Sequence, residues 1–437
     1  MVHHVRLMQD RFGYLDAVRS AVVRGGRGGQ EVASVTDSDR RVVRDLVRRV
    51  AELAASDEYE TRRRRWRDVN GLRKPDRAPV WCRPARVWPE IIPTESLATT
   101  DPLCRSVEYA LRQHLYKDWV GDDHILPPWW PVGMVWRCDT EHTWGLLADN
   151  LAETTSLGGW RLIPPIAEDA DFDRVTVPDF EPDPEATERH AERTNDLLGD
   201  ILPVRIECGP PLGPSTLNTA LDQLRGMSAF LLDLAVQPAR IHRLMSRLLE
   251  GTLRALRRAE GSGRLTPNNH EPMFCSDPIG PGDGPVRLAN LWAAGNSQEF
   301  QEVSPAMFEE FLLNYQMPVL QQFGAVQYGC CEDLSRKIDR VMRIPNLRVF
   351  VCSAWTNLDA VVDACRGRCA IMWRQRATDV LLSDDLGRIR EHLRDGMRRL
   401  QGMPYQVVLR EVETLAGRPN RLQEWATLAR EAAEEFA

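Results

Sequence analysis

Residues 325–375 read AVQYGCCEDLSRKIDRVMRIPNLRVFVCSAWTNLDAVVDACRGRCAIMWRQ. Three short apolar runs, AVQYGCC, LRVFVCSAW and CAIMWRQ, alternate with two amphipathic ones, EDLSRKIDRVMRI and NLDAVVDACRG. Continuous apolar runs of about 4–8 residues read as strands buried on both faces. Strands of that kind, each followed by a helix, build a parallel sheet covered by helices.

The same pattern extends both ways. Toward the C-terminus come a helix in DDLGRIREHLRDGMRRLQG, a last strand in YQVVLREV and a last helix in PNRLQEWATLAREAAEEF. Toward the N-terminus, SPAMFEEFLLNYQMPVLQQFG opens with Ser304 as N-cap and Pro305 in the first turn, the favoured placement of both. PARIHRLMSRLLEGTLRALRRAEG is a helix stopped at Gly261, and PMFCS and ILPVRIEC are strand candidates. Adding APVWC at 78–82 and a strand near GMVWRC brings the count to about eight, the number that closes a (β/α)8 barrel. An open doubly wound sheet is the alternative, but it ordinarily carries a Gly-rich phosphate turn, and neither GxGxxG nor GxxxxGK[ST] occurs. The expected fold is therefore α/β, a TIM barrel over 76–437 with an N-terminal helical extension at 1–75 and a Trp/Pro-rich insertion at about 119–190. Residues 164–188, acidic and rich in proline, read as a surface excursion or linker.

Composition narrows the class. Of 437 residues, 43% are hydrophobic and 27% charged, enough to bury a core and too apolar for a disordered chain. A net charge of -7 argues against nucleic acid as the partner. No apolar run reaches the ~18 residues of a membrane helix, and the N-terminus lacks the pattern of a secretory signal, so a cytoplasmic protein without a membrane partner is expected. The ten cysteines, spread along so long a chain, are then expected to be reduced and mostly buried. All but three of the 56 basic residues are arginine, a composition bias or a preference for carboxylate and phosphate ligands. The Arg62–Arg65 run reads as a solvated helix face or as a contact for an anion.

Catalytic groups of such a barrel sit where strands end and helices begin. Those places hold Arg83 and Arg86; Glu207 and Cys208; Cys275 and Asp277; Cys330, Cys331 and Glu332; Ser353 and Trp355; Arg374 and Arg376; and Arg410, Glu411 and Glu413. Two adjacent thiols followed by carboxylates suit a soft metal such as zinc, or else pack as buried thiols. On an extended strand only one of two adjacent side chains would face the mouth. Arg83 and Arg86 suit a carboxylate clamp or surface ion pairs. His142 and His124 lie in the insertion, where they would line the mouth or serve the core. Trp129, Trp130, Trp136, Trp144 and Trp160 would wall a pocket or pack a cap.

The stretch WAAGNSQEFQEVSPAMFEEFLLNYQMPVLQQFGAVQYGCCEDLSRKIDRVMRIPNLRVFVCSAW, with AFLLDLAVQPARIHRLMSRLLEG and VLREVETLAGRPNRLQEWATLAREA, resembles the uroporphyrinogen decarboxylase-like superfamily. That superfamily holds uroporphyrinogen decarboxylases and cobalamin-linked methyltransferases. The resemblance implies a barrel with its cleft at the strand C-termini. From the methyltransferases it implies a zinc, with Cys330 or Cys331 at the family's cysteine position, Glu411 or Glu413 as the later ligand, and Cys330, Cys331, Glu332 and Glu413 as the mixed sulfur–oxygen set. The metal would activate a small nucleophile for methyl or other group transfer. The methyl donor would be methylcobalamin on a separate corrinoid protein, since this chain has no DxHxxG-like cobalamin loop. The position that holds histidine in that family falls here on Tyr328 or Gly329. Glu332, Asp123 and His142 are the expected catalytic groups, and Arg83, Arg86, Trp355 and Arg374 the expected contacts to a small-molecule substrate. From the decarboxylases it implies instead a metal-free decarboxylase or lyase, its carboxylated substrate anchored by arginines and an acid such as Asp122 or Asp123 protonating the carbanion. PVWCRPARVWPE is similar to their motif but two residues shorter. A barrel that binds a ligand without catalysis is the remaining expectation.

Overall fold

The computed structural model describes residues 35–84, 86–152, 160–276, 279 and 284–437. Its strands are β1 (Val80–Pro84), β2 (Trp130–Gly133), β3 (Trp136–Cys138), β4 (Asp149–Ala152), β5 (Trp160–Ile163) and β6 (Phe180–Pro182), followed by β7 (Val204–Glu207), β8 (Trp292–Gly295), β9 (Ala325–Tyr328), β10 (Leu347–Cys352), β11 (Ala370–Trp373) and β12 (Tyr405–Val412). Six of them form one sheet in the order β1-β12-β11-β10-β9-β8, and every pair in it is parallel. β2 and β7 form a separate parallel pair.

The six-stranded sheet curls around one apolar cluster. Trp81, Trp292, Ala325, Val349, Val351, Ala370, Met372 and Val408, from all six strands, meet there with Ile125 of the segment after β1. The opposite faces of the same strands pack against the surrounding helices, as Val80, Cys82, Val326, Phe350, Ile371, Val407 and Leu409 do. Burial on both faces explains the unbroken apolar runs of these strands.

The ladder is interrupted at two places, so the described residues form a curled half-barrel with the β2–β7 pair beside it. Between β7 and β8 runs a non-strand segment: Thr266 bonds Cys208, and the Asn268 amide bonds both the N–H and the carbonyl of Trp292 at 2.8 and 3.0 Å. Beside β1 lie Asp122 and Asp123, whose carboxylates accept from the N–H groups of Cys82 and Val80 at 2.7 and 2.8 Å.

The helix Asp57–Asn70 plugs the N-terminal end of the strands. Trp66 and Val69 enter the interior cluster. Asn70 donates to the carbonyls of Met273 and Cys275 and accepts from Gln406, while Arg348 bonds its carbonyl. This part of the expected extension belongs to the core. The neighbouring helix Asp37–Ala54 packs on the helix Pro102–Val120 through Val43, Val47, Val50, Val107 and Leu111.

Several expectations are corrected. The parallel strand near GMVWRC is Trp130–Gly133; Trp136–Cys138 instead pairs antiparallel with β6. PMFCS is a turn, and WAAG supplies the strand before β9. EDLSRKIDRVMRI is helical only over Ile338–Val341. There Asp333 caps a turn at Ser335, and the Lys337 amine is drawn inward to the carbonyls of Phe300 and Gln301. The 164–188 stretch is not a linker: Ile166, Phe172, Val175 and Phe180 are buried in the main core. In the Arg62–Arg65 run only Arg64 is exposed. Arg62 bonds the His124 carbonyl, Arg63 those of Ala54 and Leu126, and Arg65 bonds Asp76 and Asp123. No helix among the described residues is long and apolar enough to cross a membrane.

Candidate functional site

The C-terminal end of the sheet gathers a thiol–arginine–carboxylate cluster. It starts at Gly329, where β9 ends with φ at +112°. A Cβ there would meet the Val351 Cβ at 2.9 Å and its carbonyl oxygen at 3.0 Å, so glycine alone fits. The chain then turns, and both following side chains reach one place, with Cys330 Sγ and Cys331 Sγ 3.6 Å apart. The opposite-face rule for adjacent side chains does not apply, because the strand has already ended.

Glu332 holds this turn. One of its oxygens accepts from the Ser297 N–H at 2.7 Å, the other from the Cys330 N–H at 2.9 Å. Ser353 donates to the Glu332 carbonyl at 2.8 Å. Burial, with Cys330 close by, pushes the Glu332 carboxyl up to about 7. Both oxygens face N–H donors, so the side chain positions the turn.

Arg374, just past β11, donates to the Cys330 carbonyl at 2.7 Å and to Glu411 Oε1 at 3.1 Å. Cys331 Sγ donates to the same Glu411 oxygen at 2.9 Å. Arg410 Nη1 lies 4.0 Å from Cys330 Sγ. Glu411 has φ at +60°, a conformation costly for a residue with a side chain and common where a functional site holds it. The Cys331 thiol, Arg410 and Arg374 all favour the anionic form of Cys330 and hold its thiol well below the usual range. Its bond to Cys330 and its own burial push Cys331 the other way.

A third buried arginine stands on the strand next to β12. Arg83 on β1 is buried, as are Arg374 and Arg410, and β1, β12 and β11 are hydrogen-bonded neighbours. Arg83 lines an interior cavity with Trp81, His114, His124 and His270. His114 Nδ1 and His124 Nε2 are 3.3 Å apart, and burial pushes His114 down to about 4. His270 Nε2 lies 2.9 Å from Glu207 Oε1.

The structure brings together Cys330, Cys331, Glu332 and Arg374, and leaves other expected residues elsewhere. Glu413 is exposed at the rim with Arg86 Nε at 3.6 Å; Glu411 is the carboxylate at the thiols. Trp355 is exposed under the Arg376 guanidinium at 4.1 Å. Asp123 accepts from Arg77 at 2.6 Å and Arg65 at 2.8 Å and ties down the first residue of β1, at the opposite end from the mouth. It is an anchor, since both charges that fix it are themselves fixed. Asp122 is likewise spent on Lys117 and Cys82. His142 is half-buried in a turn closed by Gly145, in the insertion. Asp277 lies outside the described residues. Arg410 follows Val408 by the two-residue period of a strand and so points inward, which the sequence shows; the flip at Glu411 comes from its positive φ, which has no sequence signature.

Among the described residues no group of three or more His, Cys, Asp or Glu side chains is placed to hold a metal ion. Two guanidinium groups, Arg374 and Arg410, stand beside the two thiols and Glu411. The positive charge beside the Cys330 sulfur is supplied by arginine.

No protein-family model matches the chain, and no curated protein matches it. Among solved structures, a methyltransferase from Methanosarcina mazei aligns with a TM-score of 0.48 and 11% identity over 84% of this chain and 96% of that one.

Proposed function

We propose that this chain is a group-transfer enzyme of the uroporphyrinogen decarboxylase-like superfamily, with methyl transfer to a small anionic nucleophile as its reaction. The observation that carries the reading is the thiol held between Arg410 and Arg374 at the strand C-termini. A place that favours Cys330 as thiolate favours a substrate's thiolate or carboxylate equally, because the field of the two guanidiniums acts on whatever anion enters. Arg83, Arg374 and Arg410 orient the substrate, and Glu411 receives the proton that its nucleophilic atom gives up. The nucleophile then bonds to the methyl carbon while the donor leaves with the electron pair of the broken bond. A corrinoid protein is the proposed donor.

The test uses chelator-treated enzyme with free methylcobalamin and a panel of carboxylated thiols, with methyl thioether measured by mass spectrometry. Product formed by wild type and lost in Arg410→Met supports the reading; product that appears only after zinc is added contradicts it. The three buried arginines favour a second reading, decarboxylation of a substrate they anchor. Release of carbon dioxide without a methyl donor would select it.

A further inference from the structure

We infer that Cys330 and Cys331 form a hydroperoxide-sensitive modification site, two adjacent thiols that close to a disulfide and reopen with a dithiol reductant. The inference deepens the proposed function, since closure removes the anionic sulfur from the mouth. Its chemistry needs no substrate.

Three observations support it. The two sulfurs are already 3.6 Å apart and move by roughly 1.5 Å to reach the ~2.05 Å bond, closing a strained, easily reduced ring between neighbours whose Cα atoms are about 3.8 Å apart. Cys331 is partly exposed, which gives a small oxidant access to the pair. Each sulfur has the neighbour its step requires: Arg410 beside Cys330, and the Glu411 carboxylate 2.9 Å from Cys331. Cys330 is itself buried and is reached past Cys331; of the other cysteines only Cys138 is also partly exposed, and it has no second thiol beside it.

In the first step the Cys330 thiolate attacks a hydroperoxide. An S–O bond forms, the O–O bond breaks, and the departing oxygen takes a proton to give water or an alcohol. In the second step Cys331 passes its proton to Glu411 and its sulfur attacks Cys330. The S–S bond forms, the S–O bond breaks, and hydroxide leaves to become water with that proton. Two thiols lose two electrons to one hydroperoxide.

The experiment treats the full-length protein with hydrogen peroxide, alkylates with iodoacetamide and maps the peptide that holds both residues. The expected peptide has lost two hydrogens and takes no alkyl group, and dithiothreitol restores two sites. Cys331→Ser is expected to stop at a sulfenic acid on Cys330, trapped by dimedone. A peptide that keeps two alkylatable thiols, or a sulfinic acid on Cys330 with Cys331 still free, overturns the inference. The alkylation rate of Cys330 in the reduced protein separates the two proposals. Fast alkylation without a disulfide overturns this inference alone. A disulfide with slow alkylation keeps it and counts against the proposed function.

Discussion

Cys331 and Glu411 meet at 2.9 Å although they are 80 positions apart, one in the turn after β9 and the other near the end of β12. The contact joins strands that are not neighbours in the sheet, across the mouth. It holds one thiol as a proton donor, while its neighbour Cys330, 3.6 Å away, has its sulfur beside Arg410 and its carbonyl bonded by Arg374.

Arg374→Met removes a buried charge that faces both Cys330 and Glu411. A hydrogen bond to a charged group is worth about 1.5–3 kcal/mol, so alkylation of Cys330 near neutral pH is expected to slow about tenfold or more. Iodoacetamide kinetics followed by peptide mass checks this, with Arg374→Lys as the variant that retains the charge.

Gly329→Ala places a methyl group against Val351 at a backbone angle that alanine rarely adopts. Strain of that kind costs about 1–3 kcal/mol, and urea denaturation is expected to show a loss of at least that size. The displaced turn is expected to slow Cys330 alkylation as well.

Asp123→Asn leaves Arg77 and Arg65 without their buried partner. Breaking such a pair costs about 3–5 kcal/mol. The account expects a lower unfolding midpoint together with an unchanged alkylation rate of Cys330 in the protein that remains folded. A slowed reaction at full stability would place Asp123 in the chemistry after all.

Glu332 carries the opposite pH signature to a paired surface acid. Its folded value is raised to about 7, above the unfolded carboxylate. Its favourable contribution to stability is therefore complete below about pH 4.3, the ordinary glutamate value, and is lost as pH rises through 7. Glu332→Gln sets an amide N–H against a backbone N–H and is expected to cost about 1–3 kcal/mol in denaturant titration, with a flatter pH dependence above pH 4.

The parallel sheet was legible because its strands are buried on both faces, as VVL in β12 and FVC in β10 show. GMVWRC misled because Trp136–Cys138 is also a strand, but one that pairs outside the sheet. WAAG was passed over because alanine and glycine carry little strand signal, although Gly295 is required where the Tyr328 ring packs at 2.8 Å from where a Cβ would sit. The thiol pair and Arg374 could be read from strand ends. Glu411 could not be separated from Glu413, since a single positive φ decides which carboxylate turns inward. Asp123 looked available only because its partners Arg65 and Arg77 lie far from it in sequence.

The central claim is that arginine, with no metal, holds an anionic sulfur at the mouth. The direct measurement is the pH dependence of Cys330 alkylation in chelator-treated protein. The account predicts a midpoint well below the ordinary thiol value of about 8.5, moved upward in Arg410→Met and Arg374→Met. A midpoint at or above the ordinary value in wild type, falling only when zinc is restored, would contradict it.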